Sequence, residues 1–271
     1  MSMMAGSISD VAHQGDTVNS QLATIAIPSG LCAVYKPKGW SSNDVVCKVK
    51  SEILSAARNI TGVKIKLKIG HGGTLDPMAE GVLVLGIGTG TKLLQDYLTG
   101  TKGYRAKAIL GTATDTLDST GTVIGTIDSS HITRAQILGV LDKFRGDIKQ
   151  TPPMYSALKR DGKKLYELAR AGIEVEREAR AVSVHRLDLL DDCALPEFGL
   201  IIECGGGFYV RSVIADIATS IDSLAHMTEL VRTKQGQFTL DDCIHQHNWK
   251  LDSLCAHILA CNVKANIQLK Q

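Results

Sequence analysis

Asp76 is a carboxylate set in the run Lys68-Ile69-Gly70-His71-Gly72-Gly73-Thr74-Leu75-Asp76-Pro77-Met78-Ala79-Glu80-Gly81, whose glycines and small residues cannot build a core. Gly70, Gly72 and Gly73 admit backbone angles closed to other residues and let a ligand come close. Pro77 locks the next backbone angle and stiffens the loop just past the acid. Before the loop, Ile65-Lys66-Leu67-Lys68-Ile69 alternates as a strand does; after it, Val82-Leu83-Val84-Leu85-Gly86-Ile87 has the pattern of a buried strand. A loop that projects an acid from between two strands is a place for chemistry. A carboxylate so placed can act as a nucleophile, or it can merely cap the amides of a glycine turn. The loop by itself supports both.

Other segments add weight. Lys36-Pro37-Lys38-Gly39-Trp40-Ser41-Ser42-Asn43-Asp44 follows a short apolar strand. Tyr104-Arg105-Ala106 opens the strand after Gly100-Thr101-Lys102-Gly103, and Gly111-Thr112-Ala113-Thr114-Asp115-Thr116-Leu117-Asp118-Ser119-Thr120-Gly121 follows it. Thr151-Pro152-Pro153-Met154-Tyr155-Ser156-Ala157-Leu158-Lys159 and Gly205-Gly206-Gly207-Phe208-Tyr209-Val210-Arg211-Ser212 come next. With the Asp76 loop, this ordered set closely resembles the TruB type of pseudouridine synthase, the tRNA pseudouridine-55 synthase family, from about Leu31 to Phe238. At Val231-Arg232-Thr233-Lys234 the chain departs from bacterial relatives, which often carry Leu-Arg-Arg.

The resemblance implies an enzyme that flips a uridine out of the T-loop of tRNA, breaks its glycosidic bond with the help of one ionised carboxylate, turns the base and rejoins it through carbon. Asp76 matches the catalytic aspartate and Arg211 the arginine that pairs with it, stabilising and orienting the anion. Tyr104 matches the tyrosine that stacks on the target base. His71 matches a histidine that helps fill the space of the everted base, Lys36 and Pro37 a pair lining the active site, and Tyr209 and Leu230 positions that pack around the base. The segment at about 152–181 matches an insertion, the thumb, that closes over RNA; there Lys159, Arg160, Lys163 and Lys164 are expected to hold RNA phosphates. Five acids between Asp161 and Glu178 dilute that charge, so on its residues alone the segment also fits a solvated helix. Rivals remain: a catalytically silent RNA-binding or tRNA-folding protein on the same scaffold, a synthase acting mainly on structured messenger RNA, or a glycosidase. The last would ordinarily need two cooperating carboxylates, and Asp76 has no obvious acidic partner in these motifs.

The elements that must position these groups follow from patterning. Leu31 to Lys36 is an expected strand, and Ser41 or Ser42 an expected cap for a helix through Ala57 with Val45, Val46, Val49, Ile53 and Leu54 on one face. Lys92 to Leu98 reads as a short helix. Ser129 or Ser130 is expected to cap a helix with Ile132, Ile137, Leu138, Leu141 and Phe144 as its stripe. Glu178 to Leu190 and Phe198 to Cys204 form an expected strand pair, Val210 to Ile221 a helix, and Thr228 to Phe238 a strand. Strands and helices do not alternate regularly, which predicts an α+β fold with a mixed, largely antiparallel sheet; the resemblance implies the pseudouridine synthase fold.

Composition narrows the class further. The 271 residues, 44% hydrophobic and 21% charged, describe an ordinary globular chain. A net charge of +2 neither demands nor excludes nucleic acid. No apolar run reaches membrane length, and the first 35 residues carry no Lys or Arg, unlike a secretory signal or mitochondrial presequence. The expectation is a disordered leader over 1–30 and a single catalytic domain over 31–271, in a soluble intracellular monomer of the nucleus or cytoplasm. Some thirty residues after Phe238 are too few for the extra RNA-binding domain of bacterial relatives. Gly86-Ile87-Gly88-Thr89-Gly90-Thr91-Lys92 fails the phosphate-loop and dinucleotide patterns and reads as a strand-to-helix turn, so no nucleotide cofactor is expected. Seven scattered cysteines lack CxxC spacing. Cys243, His245, His247, Cys255, His257 and Cys261 lack a finger spacing, so no metal is expected there and Cys255 and Cys261 are placed on the buried face of a terminal helix.

Overall fold

A computed structural model describes residues 26–267; the leader expected over 1–30 therefore falls, up to residue 25, outside the described residues. The strands are β1 Gly30–Lys36, β2 Ile69–His71, β3 Glu80–Ile87, β4 Lys102–Leu110, β5 Thr112–Thr114, β6 Val123–Thr126, β7 Gly146–Gln150, β8 Lys159–Arg160, β9 Lys163–Lys164, β10 Arg180–Leu189, β11 Glu197–Cys204, β12 Ala225–Gln235 and β13 Phe238–Thr239. The α-helices are α1 Ser42–Thr61, α2 Leu94–Thr99, α3 Arg134–Leu141, α4 Leu165–Arg170, α5 Val210–Thr219 and α6 Leu251–Lys264.

Among the described residues, nine strands form one sheet in the order β1-β3-β12-β4-β11-β10-β7, with β2 on β3 and β13 on β12. The β3–β12 pairing is parallel, Val231 facing Glu80 and Arg232 facing Gly81; the other pairings in this sheet are antiparallel. This is the α+β, largely antiparallel sheet expected. Two small hairpins stand off it, β5–β6 and β8–β9. The larger core packs α3 and α5 onto the central strands through Ile137, Leu141, Val213, Ile214 and Ile217. A second core packs α1 and α6 against β1 and β3 through Val45, Val49, Ile53, Leu254 and Ile258. Among the described residues, no helix is long and apolar enough to cross a membrane.

Local chemistry explains most boundaries. Ser41 caps α1 in a reciprocal box with Asp44, and Gly62 ends it in the left-handed conformation. Leu54, expected on its apolar face, is half-buried. Three expectations shift. The segment 65–68 is not a strand: only Ile69 enters one, where β2 reaches the sheet and pairs with Ile87. The cap of α3 is Thr133, boxed with Gln136, because Asp128 takes the Ser130 amide and hydroxyl into a separate turn; Ile132 thus precedes the helix, Phe144 follows it, and Leu138 is exposed. The strand expected over Thr228 to Phe238 runs from Ala225 to Gln235, and Phe238 returns as β13.

One close approach is set by a missing side chain. Gly81 has φ +106°, and a Cβ there would lie 2.3 Å from the Arg232 carbonyl oxygen. Left-handed backbone and a backbone clash together admit only glycine. Gly81→Ala is expected to lower the unfolding free energy by about 1–3 kcal/mol in urea melts; a variant as stable as the parent would show that β3 and β12 can move apart freely.

Candidate active site

The Asp76 loop leaves β2 at His71 and enters β3 at Glu80, and each of its carbonyls from Gly72 to Pro77 has a donor. Gly72 O accepts from Gln235 Nε2 at 2.7 Å, and Gly73 O and Thr74 O from the Arg232 guanidinium at 3.3 and 3.4 Å. Leu75 O accepts from Ser42 Oγ, which in turn takes the Leu75 amide at 2.8 Å. Asp76 O accepts from the Ala79 amide and Pro77 O from the Gly39 amide. A loop rich in glycine is held in place because each of these carbonyls is engaged.

Arg211, the second residue of α5, reaches the acid. Its Nε donates to Asp76 Oδ2 at 2.9 Å, Nη1 to Thr116 O at 2.8 Å and Nη2 to Tyr155 O at 2.8 Å. The guanidinium side chain is 4% exposed and the Asp76 side chain 30%. A buried cation thus presents a partly open anion, with both orientations fixed by directed bonds.

A second carboxylate stands behind the first. Asp118 Oδ2 lies 3.8 Å from Arg211 Nε, while its Oδ1 accepts from the hydroxyls of Thr116 and Thr120 and from the Thr120 amide. The turn is tied to β12 by Ser119 N–H to Met227 O and Met227 N–H to Leu117 O. Sequence reasoning misses Asp118, because its approach to Arg211 joins distant segments, and the Thr-Asp-Thr-Leu-Asp-Ser-Thr composition is the signal that could have marked a self-bonded turn. Asp118 is 5% exposed, so it braces Arg211 from inside.

Two recesses meet at this pair. One, of about 610 Å³, is lined by Asp76, Tyr104, Phe208, Tyr209, Arg211 and Leu230. The other, of about 580 Å³, is lined by Asp76, Arg211, His71, Lys164, Tyr166 and Arg170. The structure therefore brings Asp76, Tyr104, Arg211, Tyr209 and Leu230 into one recess, with His71 and Lys164 in its neighbour. Lys159, Arg160 and Lys163 are exposed on the β8–β9 hairpin and line neither; Arg160 Nη1 donates to Glu176 O. Lys36 and Pro37 line neither as well. Lys36 is wholly buried, its ammonium donating to Pro37 O, Trp40 O and Pro77 O. It holds the Asp76 loop from below, because its strand ends one residue before the turn beneath Pro77.

Burial sets the protonation of the walls. It pushes the Tyr104 phenol up to about 12, against the opposing pull of the Arg232 guanidinium, so Tyr104 keeps its proton at neutral pH. Burial, with Arg232 second, lowers His71 and favours its neutral ring. Burial pushes the Lys36 ammonium down to about 8, partly offset by Asp76. Lys102, not singled out from sequence, lines the first recess on the same face of β4 as Tyr104 and is also pushed down by burial, to about 8. Gln150 fixes the rim by bonding both the amide and the carbonyl of Tyr209. Of the Cys243–Cys261 residues, His245 stacks on Tyr35, and His257 Nε2 meets Ala33 O at 2.8 Å and Cys261 Sγ at 3.4 Å, while Cys261 is buried and Cys255 half-buried on α6.

This geometry has known counterparts. The family described as "TruB family pseudouridylate synthase (N terminal domain)" matches residues 58–210. The chain is 44% identical over 269 residues to "Pseudouridylate synthase TRUB1" of Mus musculus, covering 95% of this chain and 79% of that one. It is 44% identical over 222 residues to "tRNA pseudouridine synthase B" of Geobacillus kaustophilus, covering 79% and 74%. Its backbone is similar to that of a chain in "Crystal Structure of a Cbf5-Nop10-Gar1 Complex", with a TM-score of 0.60 and 27% identity over 81% of this chain and 53% of the other. These likenesses define a pseudouridine synthase fold. The chain belongs to the TruB family.

Arg211→Lys keeps the charge but cannot serve Asp76, Thr116 and Tyr155 from one planar fork. Misplacing the acid by an ångström is expected to lower the single-turnover rate on RNA roughly 10²-fold, with affinity retained. A rate within a few-fold of the parent would show that charge alone suffices.

Proposed function

We propose that this chain converts a uridine in the T-loop of tRNA to pseudouridine. The observation that carries the proposal is the Asp76 carboxylate, fixed by a buried guanidinium at the junction of an aromatic recess and a cationic one. The reaction breaks the bond from C1′ to N1, turns the base and forms a bond from C1′ to C5. The C5 hydrogen leaves as a proton and N1 gains one, so product and substrate are isomers and no electrons are exchanged. Asp76 serves as nucleophile or assists departure of the base. The residues around it suit that task. Tyr104 offers a ring to stack on the base and a hydroxyl that keeps its proton, Leu230 and Tyr209 close the recess, and His71, with its neutral ring favoured, lines the adjoining recess and would fill space that an everted nucleotide vacates.

The segment at about 152–181 acts in this account as a thumb over the RNA. Its hairpin exposes Lys159, Arg160 and Lys163, while Lys164 and Arg170 flank the Tyr166 ring at 5.3 and 5.4 Å. Single-stranded loops are recognised through such rings and cations.

Two outcomes follow. Asp76→Asn keeps size and hydrogen bonding but removes the charge; pseudouridine mapping on tRNA is expected to show no product while the variant still binds tRNA. Product from that variant would remove Asp76 from the chemistry. Changing Lys159, Arg160, Lys163 and Lys164 to Ala is expected to weaken tRNA binding and flatten its salt dependence by about one counterion per lost contact. An unchanged salt slope would mean that the hairpin is merely solvated.

A further inference from the structure

Between Glu52 and Asp76 the chain contains no acidic residue, yet it carries Arg58, Lys64, Lys66 and Lys68. The last three alternate with Ile65, Leu67 and Ile69. Leu67 and Ile69 pack against the core formed by α1, α6, β1 and β3, while Lys64, Lys66 and Lys68 are exposed. The Gly88 amide donates to Lys68 O at 2.8 Å, pinning the segment beside the sheet. Leu67 and Ile69 thus seat the segment, Ile65 stays exposed, and the lysines face solvent. Among the described residues, none of the ion pairs involves Lys64, Lys66 or Lys68, whereas Arg105, Arg134 and Lys264 elsewhere on the surface are paired with Asp192, Asp191 and Asp242.

The segment runs straight into the site. His71, three residues after Lys68, lines the recess that Lys164 of the β8–β9 hairpin lines as well. Chain reach places Lys68 at most about 11 Å and Lys64 at most about 25 Å from His71. A polyanion entering between His71 and Lys164 therefore meets Lys164 in the recess itself and has this row within chain reach of His71.

We propose that Lys64, Lys66 and Lys68 form a second phosphate rail, which grips the RNA backbone beyond the flipped nucleotide. The inference rests on the tRNA reading above. Unpaired ammonium groups in a fixed row suit phosphates, which they meet as point charges, and carry no information about bases.

The test compares the parent, the triple Lys→Ala variant and the triple Lys→Arg variant on full-length tRNA over a range of salt. The Ala variant is expected to bind more weakly, with a log–log salt slope shallower by about two to three, at 0.7 to 0.9 per lost phosphate contact. Turnover at saturating RNA is expected to be unchanged, and the Arg variant to restore slope and affinity. If the parent binds and modifies tRNA but the Ala variant matches it in slope and affinity, the rail is overturned and the tRNA reading stands. If the parent neither binds nor modifies tRNA, both fall.

Discussion

The interaction on which this architecture depends is the three-way hydrogen bonding of one buried guanidinium. Arg211 is charged, almost wholly removed from solvent, and satisfied by Asp76, Thr116 O and Tyr155 O. An uncompensated charge in that position would be strongly destabilising. Four separate stretches must therefore converge for the chain to fold: the acid loop, the Thr114–Gly121 turn, the segment after β7 and the start of α5. Folding energy and the alignment of the acid are one constraint here. The acid is aimed by the same bonds that hold the loops together.

A second buried cation works from the opposite side. Arg232 is 1% exposed and gives its protons to Val82 O, Gly73 O and Thr74 O. It sits where β12 runs parallel to β3 against Gly81. Register matters at this point, because Leu230, two residues earlier, lines the recess. A slip of one residue would send both side chains to the other face of the sheet, emptying the recess and unpinning the loop together. Gln235, at the end of the same strand, completes the frame by bonding Gly72 O and the Val84 amide.

Much of this is legible in the sequence, and what is not has a physical reason. The ordered motifs assign Asp76, Tyr104, Arg211, Tyr209 and Leu230, and the structure gathers all five around one recess. Asp118 escapes because its closeness to Arg211 spans 93 positions and leaves no local pattern. Lys36 misleads in the opposite way. A lysine beside a proline at a strand end suits a ligand contact, but its ammonium turns inward to three carbonyls that only the folded loop supplies. Boundaries slip for local reasons. Ser130 resembles a helix cap but is claimed by Asp128, and the alternation at 65–69 reflects a seated segment rather than a paired strand.

Asp118 approaches Arg211, and Arg211 aims Asp76; if the proposed chemistry runs through Asp76, the two residues act on its rate as a unit. A double-mutant cycle on the single-turnover rate with tRNA tests it, using Asp118→Asn, Arg211→Lys and the double variant. Residues that act through one shared geometry show strong non-additivity, so the account predicts a double variant about as slow as the slower single one. Rate losses that multiply, as for independent groups, would contradict it.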